Sequence, residues 1–343
     1  LGGGELTRVF CHDRQKYSLF DDLTKTKNIF NAWYLFRKGK RKRPGVQQFE
    51  RFIEYNLFKL QDQLKSDSYK HDRYIPFTVH DPKQRSVHKA TVKDRVVHQL
   101  VVSAIEPLFD KTFIYDSYSC RKGKGTHAAV QRLKTFLLKA SCNNTKTAYA
   151  LKCDISKFFA SVDHEVLLKL LKKRVVDHKT IELLEEILSS FQTVPNKGIP
   201  LGNLTSQLFA NVYMHQLDWF VKHTLGEKYY LRYCDDFIIL STDREHLFNI
   251  IPILMLFIEE ELHLSIHPNK TEIRTWNQGI DFLGYVLKPN CTVLRSKTKN
   301  RMLDRVDKNN LSSYLGICSH GNCYELERLI VNKIQLDNDI ITL

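Results

Sequence analysis

Three aspartates stand where the sequence is otherwise apolar. The stretch LRYCDDFIIL, residues 231–240, sets Asp235 and Asp236 between Tyr233 and the run Phe237, Ile238, Ile239, Leu240. Roughly eighty residues earlier, YALKCDISKFF carries Asp154 at the end of a second apolar pattern. Both patterns read as strands packed into a core. A carboxylate taken from water without a partner is costly, and like charges on adjoining strands repel unless cations lie between them. Hard divalent ions with oxygen ligands meet both difficulties, and Mg²⁺ takes few carboxylates together with substrate phosphates. Two such ions, ~3.5–4 Å apart, clamp the attacking and leaving oxygens of an in-line phosphoryl transfer. Taken singly, an Asp-Asp pair is more commonly a turn or a solvated strand end. Three acids whose strands adjoin would instead suit metal-assisted phosphoryl chemistry, and spacing alone leaves both readings open.

The cations suggest the substrate. Lys and Arg number 52 against 38 Asp and Glu, a formal net charge of +14. That excess alone suits nucleic acid, an anionic membrane surface or mere solubility. Its placement says more: RKGKRKR at 37–43, RKGKG at 121–125 and RSKTKNRMLDR at 295–305 are three separated basic stretches. Such spacing fits a long polyanion better than a small substrate. No apolar run reaches the roughly 18 residues of a membrane span, so no membrane partner is expected. The opening LGGGELTRVF is no signal peptide and looks in part like a cloning remnant. Eight cysteines without framework spacing suggest reduced thiols and a cytoplasmic protein. Cys318, His320 and Cys323 in CSHGNC are candidate zinc ligands, although their spacing matches no common zinc pattern.

These residues need elements to position them. Apolar positions at 46, 49, 52, 53, 57, 60 and 64 have the spacing of one helix. YIPFTVHDPKQRSVHK alternates like a hairpin, and the chain turns helical from Val92. THAAVQRLKTFLLKA, HEVLLKLLKKRV and TIELLEEILSSF read as amphipathic helices. NKGIPLGNLTSQLFANVYM opens as a Gly/Pro loop and continues as a long helix. KYYLRYCDDFIILS supplies two strands meeting at the paired aspartates; LFNIIPILMLFIEEELHLSI is a further helix, and FLGYVLKP a short strand. Strands spread far apart among helices make an α+β protein.

The ordered set LKCDISKFF, GIPLGNLTSQLFANVYM and YCDD resembles the reverse transcriptases of bacterial and phage retroelements. VKDRVVHQLVVSAIEPLFDKTFIYDSYSCRKGKGTHAAV matches their fingers motifs, HPNKT the palm lysine motif and FLGY the primer-grip region. The matches run in family order from about residue 76 to 290. YxDD alone is weak; the ordered set is specific. The version LGNLTSQ is most like the diversity-generating type, which copies a template RNA with adenine-directed errors. An antiviral or group II-like reverse transcriptase is the alternative, and a non-catalytic nucleic-acid-binding scaffold of the same fold a more distant one.

The resemblance implies a right-hand polymerase with an antiparallel palm sheet. Its expected parts are an N-terminal extension with the first fingers helices at 1–75, fingers at 76–150, a palm at 151–290 with inserted fingers helices at about 165–198, and a thumb at 291–343. It implies Asp154, Asp235 and Asp236 as catalytic, metal-binding carboxylates for two Mg²⁺ ions, with Mn²⁺ as the substitute. Arg85, Lys93, Arg95 and Arg121 are the candidate cations for the incoming triphosphate, since guanidinium suits phosphate oxygens; about half of them are expected to touch it. Phe159 matches the aromatic gate that would exclude a ribose 2′-hydroxyl. Leu201 and Gly202 shape a loop against the nascent base pair, and Lys270 approaches the leaving pyrophosphate. Template RNA, primer and cDNA, deoxynucleoside triphosphates and a small basic accessory protein are the implied partners.

Overall fold

The computed structural model describes residues 18–80 and 84–341; the opening LGGGELTRVF lies outside them. The N-terminal helices are α1 (Leu19–Leu23), α2 (Thr26–Arg37), α3 (Pro44–Glu50) and α4 (Ile53–Lys65). The single helix expected over 46–65 is thus two. Phe52 leaves helical geometry at φ −123°, ψ 44°, and the break lets α3 pack on α5 while α4 turns Leu57, Leu60 and Leu64 inward beside α2. One straight helix could not aim Val46 and that leucine stripe at both neighbours.

The expected hairpin is β1 (Ile75–Val79) and β2 (Arg85–Lys89), paired antiparallel, and α5 (Val92–Asp110) follows. Thr91 caps α5 by accepting from the Asp94 N–H, a contact that contributes about 1 kcal/mol. Next come α6 (Thr126–Ala140), β3 (Tyr149–Asp154), α7 (Phe158–Ser161), α8 (His164–Lys172), α9 (His178–Ser189) and α10 (Leu204–Trp219). Asp163 and Asp177 cap α8 and α9 in the same way. The strands β4 (Tyr229–Tyr233) and β5 (Asp236–Ser241) lead to α11 (Arg244–Glu260) and β6 (Glu272–Thr275). The chain then forms β7 (Ile280–Phe282), β8 (Tyr285–Leu287) and β9 (Thr292–Leu294), and ends in α12 (Ser296–Arg305), α13 (Leu311–Cys318) and α14 (Tyr324–Ile341).

FLGYVLKP, expected as one strand, is a tight hairpin. Leu283 and Gly284 both have positive φ, 49° and 90°, between the paired residues Phe282 and Tyr285. That is the sign pattern of a type I′ turn, which matches the twist of its strands. Gly284 is the residue type such a turn favours, but Leu283 at positive φ hides it within a strand-like pattern.

Internal contacts divide the chain into two units, one comprising residues up to 112 with 159–213, the other 113–158 with 214 onward. In the first, α2 packs on α4 and α5, and α8 on α9. Trp33, Leu57, Val97 and Leu184 are among its fully buried side chains. The second holds a four-stranded antiparallel sheet in the order β4-β5-β3-β6. Helix α6 packs on β4 and β5, and α11 on β5 and β6. Leu231, Ile238 and Leu240 join α6 and the residues Met302, Cys318, Cys323 and Ile330 in one apolar core. No described helix is long and apolar enough to cross a membrane.

Candidate active site

Strand register brings two of the three acids together. In the β3–β5 ladder Asp154 lies directly opposite Asp236, and Tyr233 of β4 opposes the same Asp236. Residues directly opposite are close neighbours in an antiparallel pair. Alternation puts Asp154 on the face of Lys152 and Ala150, and Asp236 on the face of Ile238 and Leu240. Asp235 occupies the two-residue loop between β4 and β5 after Cys234, whose φ is 58°. Positive φ at the first loop position alone is the type II′ pattern, where glycine is usual.

The fourth member arrives from the HPNKT turn. The His267 N–H donates to the Asp154 carbonyl and the Ser156 N–H to the Ser265 carbonyl, each at 2.8 Å. These bonds fasten the turn Pro268–Lys270 to the end of β3. Lys270 Nζ then donates to Asp154 Oδ1 at 2.8 Å. Lys152, unremarked in the sequence, donates to the Asp281 carbonyl at 2.9 Å.

The electrostatics follow from this crowding. Burial pushes the Asp236 carboxyl up to about 6; the Lys152 charge opposes the rise, and Asp235 and Asp154 add to it. Asp235 is raised too, by burial first and then by Asp154. Carboxylates held this way favour a cation. Among the described residues, no three His, Cys, Asp or Glu side chains converge into a finished metal cage. Mg²⁺ does not need one, because it keeps several waters and is completed by substrate phosphates. The opposed pair Asp154 and Asp236, with Asp235 in the adjoining loop, fits that ion.

The candidate triphosphate cations are dispersed. Arg85 opens β2 and is exposed. Lys93 pairs with Asp72 at 3.0 Å and donates to the Lys70 carbonyl. In the other unit, Arg121 donates to the Ile114 and Ser117 carbonyls at 2.7 and 3.2 Å and so braces its own loop. Arg95 behaves differently. Its guanidinium lies over the Phe36 ring, 4.9 Å from the centroid, and lines a cavity of about 340 Å³ with Lys40, Arg43, Lys89 and Gly202. No lining residue is acidic. The ionised form of Lys40 is disfavoured by burial and then by Arg95 and Arg43; Arg95 is affected likewise by burial and Arg43. This is a cavity suited to an anion.

The loop at 200–203 belongs to the same unit. The His88 N–H donates to the Leu201 carbonyl and Asn203 Nδ2 to the His88 carbonyl, which ties the loop to β2. Gly202 has φ 100°, and a Cβ there would lie 2.6 Å from Val87 Cγ1. Only glycine fits that backbone and that space. Phe158 is buried, whereas Phe159 is half-buried, with its carbonyl accepting from the Ile199 N–H at 2.7 Å. Cys318 and Cys323 are core residues, and burial pushes the Cys318 thiol up to about 12.

Comparison with known proteins decides the family. The family described as reverse transcriptase (RNA-dependent DNA polymerase) matches residues 78–287, well over half of the chain. The chain belongs to the reverse transcriptase family. Among curated proteins it is 24% identical over 270 residues to Protein YkfC of Escherichia coli, covering 66% of this chain and 70% of that protein. It is also 24% identical over 327 residues to the group II intron-encoded protein LtrA of Lactococcus lactis, covering 74% of this chain and 53% of LtrA. It thus spans about half of LtrA. Among solved structures, telomerase from Candida albicans in complex with a TWJ fragment of telomeric RNA aligns over 83% of this chain and 61% of that one. The TM-score is 0.53 at 11% identity. That likeness establishes the fold, an α+β right-hand polymerase with an antiparallel sheet. The enzyme class of this reverse transcriptase is RNA-directed DNA polymerase.

Three features of this reverse transcriptase escaped the sequence reading. Lys152 and Arg232 are charged residues inside apolar strand patterns, a visible signal without a visible purpose. Lys40 and Arg43 stood in a basic run, but their convergence on Arg95, more than fifty residues away, depends on the packing of α2, α3 and α5.

Proposed function

We propose that the protein copies a template RNA into cDNA by two-metal-ion nucleotidyl transfer, with Asp154, Asp235 and Asp236 as its carboxylates. The observation that carries this reading is the register pairing of Asp154 with Asp236 beside Asp235. The three acids would hold two Mg²⁺ ions, or Mn²⁺ in their place, which when bound activate the primer 3′-hydroxyl and stabilise the leaving pyrophosphate. Lys270, already hydrogen-bonded to Asp154, supplies positive charge or a proton to the leaving oxygens. The cavity of Lys40, Arg43 and Arg95 takes a phosphate, as its excess of uncompensated cations favours. Arg85 is free to swing toward the triphosphate, while Lys93 and Arg121 need to leave their present partners first. Residues 1–75 are assigned as extension and first fingers helices, 76–150 as fingers, 151–290 as palm with fingers helices at about 165–198, and 291–343 as thumb. Deoxynucleoside triphosphates, primer and a small basic accessory protein complete the proposed partners, in the cytoplasm.

Primer extension on an RNA template tests the activity. Deoxynucleotides should be incorporated with the RNA present and not without it, and ribonucleotides should be rejected. Phe159 is proposed as the gate, since Phe158 takes the core position and leaves Phe159 half-buried. Phe159→Ala should therefore raise ribonucleotide incorporation while deoxynucleotide use stays largely intact. No gain in ribonucleotide use would make Phe159 a packing residue.

The retroelement type rests on the LGNLTSQ version of the loop and helix, within which Leu201 stands between Pro200 and Gly202 where most reverse transcriptases carry glutamine. We propose a diversity-generating enzyme; the likeness to LtrA supports the group II-like alternative. An amide at 201 can hydrogen-bond near the incoming nucleotide, whereas leucine offers only shape. One hydrogen bond changes energies by roughly 0.5–1.5 kcal/mol, at most about tenfold in discrimination. Leu201→Gln should lower misincorporation opposite template adenine several-fold at preserved yield, read by deep sequencing of cDNA. Equal error spectra would remove Leu201 as a fidelity determinant and count against the diversity-generating type, while leaving the polymerase reading untouched.

A further inference from the structure

Arg232 is a fully buried charge in the middle of β4, two residues before the loop that carries Asp235. Its guanidinium grips Asp218 of α10 with both arms: Nε donates to Oδ1 and Nη2 to Oδ2, each at 2.6 Å. Asp218 is equally buried and also accepts from the Tyr230 hydroxyl at 2.7 Å. A second Nη2 hydrogen reaches Ser117 Oγ at 3.0 Å. The remaining arm points along the strand, where Nη1 donates to the Cys234 carbonyl at 2.8 Å. The backbone is pinned beside it: the Arg232 N–H donates to the Asp116 carbonyl, and the Tyr118 N–H to the Arg232 carbonyl.

Stability alone does not account for this arrangement. A buried ion pair often contributes no more than a well-packed apolar pair of the same volume, and Leu231 beside Arg232 and Phe237 opposite it are already buried apolar side chains. What an apolar pair lacks is a directed donor. The Cys234 carbonyl belongs to the peptide that joins Cys234 to Asp235, and Cys234 sits at φ 58° without being glycine. L-residues leave that region readily unless the surroundings hold them there. Fixing this peptide fixes the amide of Asp235, and with it the direction in which the Asp235 and Asp236 side chains leave the loop.

We propose that Arg232 is a positioning residue, held by Asp218, Tyr230 and Ser117, whose bond to the Cys234 carbonyl sets the geometry of the carboxylate loop. The inference rests on the reading of Asp235 and Asp236 as the catalytic acids. The planar fork is essential to it: lysine has the charge but cannot serve Asp218 and Cys234 in those directions at once.

Two variants and one measurement on the unaltered protein test it. Arg232→Lys keeps the charge and loses the fork. The double variant Arg232→Met/Asp218→Leu removes both charges together, so no unpaired ion is left buried. In single-turnover primer extension on RNA, both should lose about tenfold to a hundredfold in the rate constant, the cost of misplacing reacting groups. Nucleotide KM and RNA affinity should be unchanged. Hydrogen exchange should quicken at 233–237 while β3 and β6 stay protected. A folded double variant with the unaltered rate constant and exchange pattern overturns the proposal, and so does a loss confined to KM or spread over the whole unit. In the unaltered protein, exchange at Asp236, which the ladder holds between Tyr233 and Asp154, should be as slow as in the centre of β5; fast exchange there overturns it whatever the variants do. Should Asp235→Asn leave synthesis intact, the reading of the acids fails; should Asp235→Asn abolish synthesis while the Arg232 variants keep it, only the positioning role fails.

Discussion

Asp235→Asn should lower DNA synthesis by on the order of a thousandfold or more, the scale on which removing a directly acting electrostatic group is felt. Asparagine has the shape of aspartate without its charge, so a divalent ion loses an anionic ligand where the structure crowds carboxylates. The fold should tolerate the change well. Burial already disfavours the ionised Asp235, with the charge of Asp154 adding to the penalty, and a neutral amide removes that repulsion. RNA binding should persist, because the basic surfaces are untouched. Single-turnover extension at matched folded fraction, with RNA affinity measured in parallel, checks both halves. Undiminished synthesis by a folded variant would end the assignment of the acids; a joint loss of synthesis and RNA binding would point to collapse of the unit instead.

The individual strands of this site were readable because their chemistry is local. An apolar alternation broken by Asp154, and another broken by Asp235 and Asp236, mark strand ends in any context. Their pairing was not readable in the same way. That Asp154 faces Asp236 rather than a neighbour is a matter of register between strands far apart in the chain, and register is set by the whole buried face of a sheet. Family resemblance supplied that step; the match over 78–287 bears out the family, and the ladder register itself sets the two acids opposite each other.

Local periodicity failed elsewhere for definite reasons. The pattern over 46–65 gives no sign of the break at Phe52, since the break serves two different packing partners. The FLGY turn hides behind Leu283, a residue type that alternation assigns to a strand. Lys93 and Arg121 looked available for phosphate because the partners of the one include a loop aspartate and those of the other two loop carbonyls, groups that carry no sequence pattern. Arg232 was visible as an anomaly in an apolar strand, but Asp218 lies on a helix whose orientation the sequence does not specify.

Raising salt from about 50 to 200 mM should weaken binding of single-stranded RNA by about three-hundredfold or more if six or more phosphates are contacted, through counterion release. The cavity formed by Lys40, Arg43 and Arg95 allows a sharper test than the titration alone. Burial and mutual repulsion disfavour the ionised forms of Lys40 and Arg95, so a phosphate drawn among them relieves repulsion while it displaces its own counterions. For single strands each neutralised phosphate contributes about 0.7 to the slope of log affinity against log salt. If the three cations share one phosphate, replacing all three with alanine should reduce the slope by about 0.7, and by about two if each meets its own. Fluorescence anisotropy of a labelled RNA at several salt concentrations measures it. A flat titration of the unaltered protein would contradict the polyanion reading of its charge. A steep slope unchanged in the triple variant would retain that reading and remove the cavity from it, leaving the phosphate contacts to the exposed basic stretches. Loss of affinity with the slope preserved would mean that the three residues shape the unit rather than neutralise phosphate.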